Sequence, residues 1–317
     1  RPVQLPSAGP GRRCGHYADR VRIALVTCAA LPHLDVDDLP LADALEQRGG
    51  DVRTVVWDDP SVDWSQFSYV VIRSTWDYAP RRNEFVDWAQ RVSQVTRLAN
   101  PYPVVRWNTD KHYLAELDAA GVPVVPTSWL EPERHLSSRA LHTRFPAGGD
   151  FVIKPAVSAG SLDTGRYTAI DADSRGLAIA HAKRLLGEER TVMVQRYLRS
   201  VDTQGERAHV FIAGEYSHSI LKGAMLDGPD VAFEGVYRQE RISAITVDDS
   251  EIEAARLGVR TARRLLTEAV DGDVEADRFL YARVDLVHDD DGNPLLMELE
   301  MVEPSLFFGY ADGALER

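Results

Sequence analysis

The 317-residue chain has only two cysteines, Cys14 and Cys28. They match no metal-binding or redox spacing, so neither a disulfide framework nor a cysteine-held metal organises the fold. Reduced, cytoplasmic chemistry is the expectation. Long apolar runs are also missing: no segment approaches the ~18 consecutive apolar residues of a membrane span, and the opening residues have no apolar signal centre. Basic charge is outweighed, with 36 Lys and Arg against 49 Asp and Glu and a formal charge of −13. That balance argues against a general electrostatic grip on nucleic acid.

Two nucleotide signatures are absent as well. A dinucleotide site needs a glycine-rich turn after the first strand, where pyrophosphate meets backbone amides. Here that turn reads Cys28-Ala-Ala-Leu-Pro-His33, with no glycine. The Walker pattern, in which lysine follows the glycines within one loop, does not occur either. An EF-hand reading of the acidic turn at Asp289 fails because its first position is Val287, which has no ligating side chain.

What remains is globular: 44% of residues are hydrophobic, enough for one large core or a few smaller ones. Arg1 to Arg20, rich in Pro, Gly and Arg, reads as a tag remnant or unstructured leader. Val21 to Thr27 is an apolar run of the kind that forms a strand covered on both faces. A helix over Leu39 to Arg48 and strands over Val52 to Trp57 and Tyr69 to Ile72 then suggest a βαβ-type unit. Asn108 or Thr109 can cap a helix carrying Leu114 and Leu117 that stops at Gly121. Strands are expected at Val122 to Val125, Phe151 to Ile153, Val192 to Gln195, Ala208 to Ile212 and Ser219 to Leu221. Ser250 and Glu253 form a capping box ahead of an amphipathic helix. A hairpin of Leu280 to Val287 and Leu295 to Leu299 follows.

Chemistry concentrates on that hairpin. Asp285 lies on one strand and Glu298 and Glu300 on the next, the two glutamates sharing a face. Three acids so placed repel unless a cation joins them, and magnesium suits an all-oxygen partial cage, with manganese an alternative. An exposed carboxylate-rich face is the competing reading. A second signal is Phe151-Val-Ile-Lys154-Pro155 followed by a loop holding Ser158, Gly160 and Ser161. Small residues let backbone amides approach phosphate oxygens, and the lysine adds a point charge. Lys111 stands at a helix start. A third signal is the strand ending Gln195-Arg-Tyr-Leu198 with Asp202 beyond, able to bind adenine through its backbone and Gln195 and ribose through Asp202.

In this order the pieces resemble the ATP-grasp superfamily: a lysine-bearing helix before Gly121-Val-Pro-Val-Val-Pro-Thr127, the Lys154 strand, a small-residue loop, a hinge strand and Asp285…Glu298-Leu-Glu300. The likeness covers roughly residues 22 to 310. It implies an α/β (α+β) ATP-grasp fold, with a Rossmann-like N-terminal domain at 21–108, a central subdomain at 109–194 and a C-terminal subdomain at 195–317, the last two clasping ATP. By the same resemblance Lys111 and Lys154 hold phosphates, the loop of Ser158, Gly160 and Ser161 covers them, and Gln195, Arg196, Tyr197 and Leu198 read adenine. Glu300 departs from the usual pattern, which has asparagine there.

Arg73-Ser-Thr-Trp-Asp-Tyr78, Gly205-Glu-Arg207 and Glu298-Leu-Glu-Met-Val-Glu-Pro-Ser305 resemble the branch that contains D-cycloserine-forming ligases. That branch implies ATP- and magnesium-dependent activation of a small carboxylate substrate as an acylphosphate, then ring closure of O-ureido-D-serine by its own nitrogen. An intermolecular carboxylate–amine ligase and a non-catalytic nucleotide-binding module are the alternatives. Arg283, Arg207 and Lys222 are the expected contacts to the transferring phosphate or the carboxylate. Arg73, Ser74, Thr75, Asp77 and Ser305 are the expected substrate residues. Neither nucleic acid nor membrane is an expected partner, and a homo-oligomer is compatible with the chain.

Overall fold

A computed structural model describes residues 20–230, 235–238, 240–269 and 279–317. Cys14 and all but the last residue of the expected leader lie outside them. Three sheets carry the architecture. The first is parallel, in the order β2-β1-β3-β4, from β1 (Arg22–Thr27), β2 (Asp51–Val56), β3 (Tyr69–Ser74) and β4 (Arg97–Ala99). The helix expected between the first two strands is α1 (Leu39–Gln47).

A further helix, α2 (Arg82–Ser93), has no counterpart in the expected elements. Its buried residues Phe85, Trp88, Ala89 and Val92 fall at i, i+3, i+4 and i+7, which places one stripe against the sheet. Burying each large side chain contributes roughly 1.5–3 kcal/mol.

The middle sheet is antiparallel in the order β5-β8-β6-β7, from β5 (Thr127–Leu130), β6 (Asp150–Pro155), β7 (Gly165–Thr168) and β8 (Val192–Arg196). The expected border after residue 194 falls inside β8, whose Gln195 still pairs with Thr127 and whose Arg196 pairs with Phe151. Val122–Val125 is not a strand. Pro123 and Pro126 remove backbone donors there, leaving a single bridge from Val124 to Leu296, in which the Val125 amide donates to the Leu296 carbonyl and the Leu296 amide to the Pro123 carbonyl.

The third sheet runs β11-β10-β9-β12-β13, all antiparallel: β9 (Glu206–Ile212), β10 (Glu215–Lys222), β11 (Ile242–Ala244), β12 (Tyr281–His288) and β13 (Pro294–Glu300). A long helix (Asp249–Ala269) covers it, burying Ala255, Val259, Ala262 and Leu266. Its start is held by Asp248, whose carboxylate accepts from the Glu251 amide and the Ser250 hydroxyl. Ser250 therefore lies within the helix rather than capping it, since an acid two residues earlier already meets a free amide of the first turn.

Asn108 corrects another expectation. It ends the helix Tyr102–Asn108 instead of capping the next one, Tyr113–Ala119. Its amide donates to the Leu299 carbonyl (2.7 Å) and its carbonyl accepts from the Met301 amide (2.6 Å), tying this helix to the end of β13. Asn108→Ala leaves both buried backbone groups unpaired, so a loss of about 2–4 kcal/mol is expected in denaturant unfolding. A change under about 0.5 kcal/mol would mean that solvent reaches these groups.

Candidate active site

A cleft of about 530 Å³ lies where the three sheets meet. β13 brings Glu298 and Glu300 to it, β6 brings Lys154, β10 brings Lys222 and β12 brings Arg283. Asp285 stands opposite Glu298 and Arg283 opposite Glu300 in the β12–β13 ladder. Side-chain alternation then puts all four on one face.

The expected requirement for a cation is met by the chain's own bases. Lys111 Nζ lies 3.1 Å from Glu298, and Lys154 Nζ lies 3.8 Å from its other oxygen. Asp285, 1% exposed, accepts from Arg283 (2.8 Å) and Lys222 (3.1 Å). Arg283 also bridges to Glu300 (2.5 Å), and Lys222 to Glu206 and Glu240. Among the described residues, no three carboxylate, thiol or imidazole groups converge closely enough to hold an ion by themselves. The repulsion among the three acids is relieved by guanidinium and ammonium groups of the chain itself.

The cluster is still short of positive charge. Burial, with Glu298 and Asp285 nearby, pushes the Glu300 carboxyl up to about 8. Burial likewise raises Glu206 to about 7. Arg283 and Lys222 overcome burial at Asp285 and hold it well below the usual carboxylate range. An oxygen-seeking divalent ion fits this donor set, because Glu298 and Glu300 both line the cleft and Glu300 has one cationic partner in the ion-pair network.

The pH consequence has a definite sign. Acids raised in the folded state stabilise it in their protonated form, so their contribution is complete below the ordinary value near 4.5 and is lost as pH rises through 7–8. Asp285 acts oppositely, its contribution being lost only in acid. Melting temperature in chelator should therefore fall between pH 6.5 and 9, and magnesium with ATP should restore it at the alkaline end. A flat profile unaffected by magnesium would contradict this electrostatic picture.

Around the acids the loop Ser158–Ser161 lines the cleft, and Lys111 Nζ donates to the Ser158 carbonyl (2.8 Å) and hydroxyl (3.2 Å). Gly160 has φ +60°, and a Cβ there would lie 2.4 Å from the Val236 carbonyl, so only glycine allows that approach. Gln195, Arg196, Tyr197 and Leu198 all line the cleft, with Gln195 anchored to Thr127 (2.9 Å). Ser305 also lines it, its carbonyl accepting from Arg283 (3.1 Å).

Other expected residues do not reach the cleft. Arg73 is 1% exposed, bonded to Asp38 (2.8 Å) and to the Pro304 carbonyl (2.8 Å), so it pins two loops together. Ser74 and Thr75 are fully buried, and Asp77 accepts from the Trp57 indole (2.9 Å) and from Arg81 (3.0 Å). Arg207 pairs with Glu251 of the long helix. Asp202 is occupied by Arg166 (3.0 Å) and the Tyr197 hydroxyl (2.6 Å). Most of these side chains have a partner distant in sequence that the local pattern does not display, while the buried Thr75 hydroxyl has no hydrogen-bond partner among the described residues.

The cleft instead exposes residues that sequence reasoning passed over: Asp35, Asp37, Tyr78, Tyr237 and Glu303. Tyr237 packs edge-on against Trp76 and donates to Asp35 (3.2 Å). All sit in connecting segments without periodicity. Glu303 alone had a local hint, lying three residues beyond Glu300.

This mixed α/β layout, with paired lysines, a glycine loop and a β-hairpin of acids in one cleft, is an ATP-grasp fold. Residues 23–100 match the family model described as the N-terminal domain of the D-cycloserine synthetase DcsG. Over 298 residues the chain is 39% identical to the cycloserine biosynthesis protein DcsG of Streptomyces lavendulae, covering 92% of this chain and 95% of that one. The chain belongs to the D-cycloserine synthetase family. The crystal structure of D-cycloserine synthetase DcsG is similar at a TM-score of 0.78 and 37% identity, over 93% of this chain and 96% of that one. D-alanine–D-alanine ligase from Bacillus anthracis, complexed with ATP, shares the fold at a TM-score of 0.59 and 13% identity, over 93% and 92% of the two chains.

Proposed function

We propose that this enzyme activates the carboxylate of O-ureido-D-serine with ATP and closes the ring to D-cycloserine, releasing ADP, phosphate, carbon dioxide and ammonia. The observation that carries this reading is the 39% identity to a cycloserine biosynthesis protein along nearly the whole of both chains. A requirement for ATP supports a cytoplasmic reaction. Among the described residues no helix is long and apolar enough to cross a membrane.

Lys111 and Lys154 take the ATP phosphates, exchanging Glu298 for phosphate oxygens, and the Ser158–Ser161 loop closes over them. Gln195 to Leu198 hold adenine. Glu298 and Glu300, with Asp285 behind them, would hold magnesium, which would supply positive charge to offset the charge developing on the transferring phosphate. Arg283, fixed by Asp285 and Glu300, faces the transferring phosphate or the substrate carboxylate. The substrate carboxylate attacks the γ-phosphate to give an acylphosphate, and the closed cleft keeps water from it. The substrate nitrogen then displaces phosphate, and hydrolysis of its N–carbamoyl bond by one water releases the carbamoyl part as carbon dioxide and ammonia.

ADP release measured with O-ureido-D-serine, D-alanine and γ-glutamylcysteine tests the assignment. Turnover with the first alone is expected. Background activity with it, or a preference for a pair of separate substrates, would favour an intermolecular ligase.

A further inference from the structure

The geometry points to Glu303 as the proton acceptor for the attacking nitrogen, an assignment that rests on the ligase reading above. The nitrogen still carries hydrogen when it attacks the acyl carbon. As the C–N bond forms, the acyl–oxygen bond breaks with its electron pair going to phosphate, and the nitrogen's proton must pass to a base.

The residues lining the cleft leave few candidates. They include no histidine. Lys111 and Lys154 are held at Glu298, and Lys222 lies among Asp285, Glu206 and Glu240. The same contacts engage Glu206, Glu240 and Glu298, while Arg283 engages Glu300. Asp37 accepts from the Leu306 and Phe307 amides (3.1 and 2.7 Å), and Asp35 accepts from the Asp37 amide (3.0 Å) and Tyr237. These two acids tie loops together.

Glu303 differs. Its main chain is fixed by a 2.9 Å bond from the Trp76 indole to its carbonyl, and Tyr78 lines the same part of the cleft. Lys111, Glu298 and Arg283 are the other charged groups acting on it, and none makes a contact ion pair with it. Burial is the main influence and pushes its carboxyl up to about 7, where a proton is gained and lost readily at neutral pH.

Glu303→Gln preserves shape while removing the base. Cycloserine formation should fall by about 100-fold or more, while acylphosphate trapped by hydroxylamine as the hydroxamate stays within about threefold of the unsubstituted enzyme. The unsubstituted enzyme's ring closure should rise with pH through about 7, and the variant should lose that rise. Glu303→Asp should recover part of the ring closure, and this contrast serves if the Gln variant does not fold. Unchanged ring closure in the folded Gln variant, an Asp variant no better than a folded Gln variant, or equal loss of hydroxamate and cycloserine in either, would overturn the role. Hydroxamate without cycloserine from the unsubstituted enzyme would instead overturn the ring-closure reading itself, and this assignment with it.

Discussion

Replacing Glu298 by Gln should reduce magnesium-dependent ADP formation by at least about 100-fold, the scale on which loss of one preorganised electrostatic group acts. Glu298 is the acid most central to the cleft: it sits on β13, meets Lys111 and Lys154, and lies opposite Asp285 in the ladder. The amide keeps the shape and one oxygen acceptor, but it loses the charge that balances two ammonium groups and attracts a divalent ion. The fold should survive, because the lysines can turn to phosphate or water. ADP release titrated with magnesium, alongside a melting curve, separates these effects. Turnover equal to the unsubstituted enzyme would remove Glu298 from the metal site.

The second large effect is expected at Arg283, and it falls on stability as well as catalysis. Arg283 is 4% exposed and bonds both Asp285 and Glu300, so Arg283→Met leaves a buried and a half-buried carboxylate without their shared guanidinium. Breaking one partner of a buried ionic group typically costs about 3–5 kcal/mol. Lys222 still reaches Asp285, which leaves Glu300 as the more exposed loss. Combining Arg283→Met with Glu300→Gln should therefore recover part of the stability in denaturant unfolding, but none of the ADP-forming activity. Full activity in the single variant would contradict the placement of Arg283 at the reacting phosphate.

The parts of the site visible in the sequence are those carried by regular elements. Lys154 closes an apolar strand, Glu298 and Glu300 alternate on another, and Gln195 ends a third, so period and order locate them. Arg73 also ends a strand, and there the same logic misleads. Its partner Asp38 lies 35 residues earlier and its second contact, Pro304, 231 residues later, so nothing local marks it as an internal tie. Arg207 and Glu251 are separated by 44 residues in the same way. In the fold, Val122–Val125 has the composition of a strand, but its prolines leave too few donors for a ladder. The helix Ala172–Gly187 buries Arg175 and His181 among its inward residues, which blurs the apolar stripe that would reveal it. Asp35, Tyr237 and Glu303 come together only through chain reversals between the sheets.

The most direct test of the central claim follows an oxygen atom. O-ureido-D-serine labelled with oxygen-18 in its carboxylate is incubated with ATP, magnesium and enzyme, and the released phosphate is analysed by mass. If the carboxylate attacks the γ-phosphate, one labelled oxygen leaves with each phosphate as the ring closes, with ADP and cycloserine in equal amounts. Cycloserine accompanied by unlabelled phosphate would contradict activation through an acylphosphate.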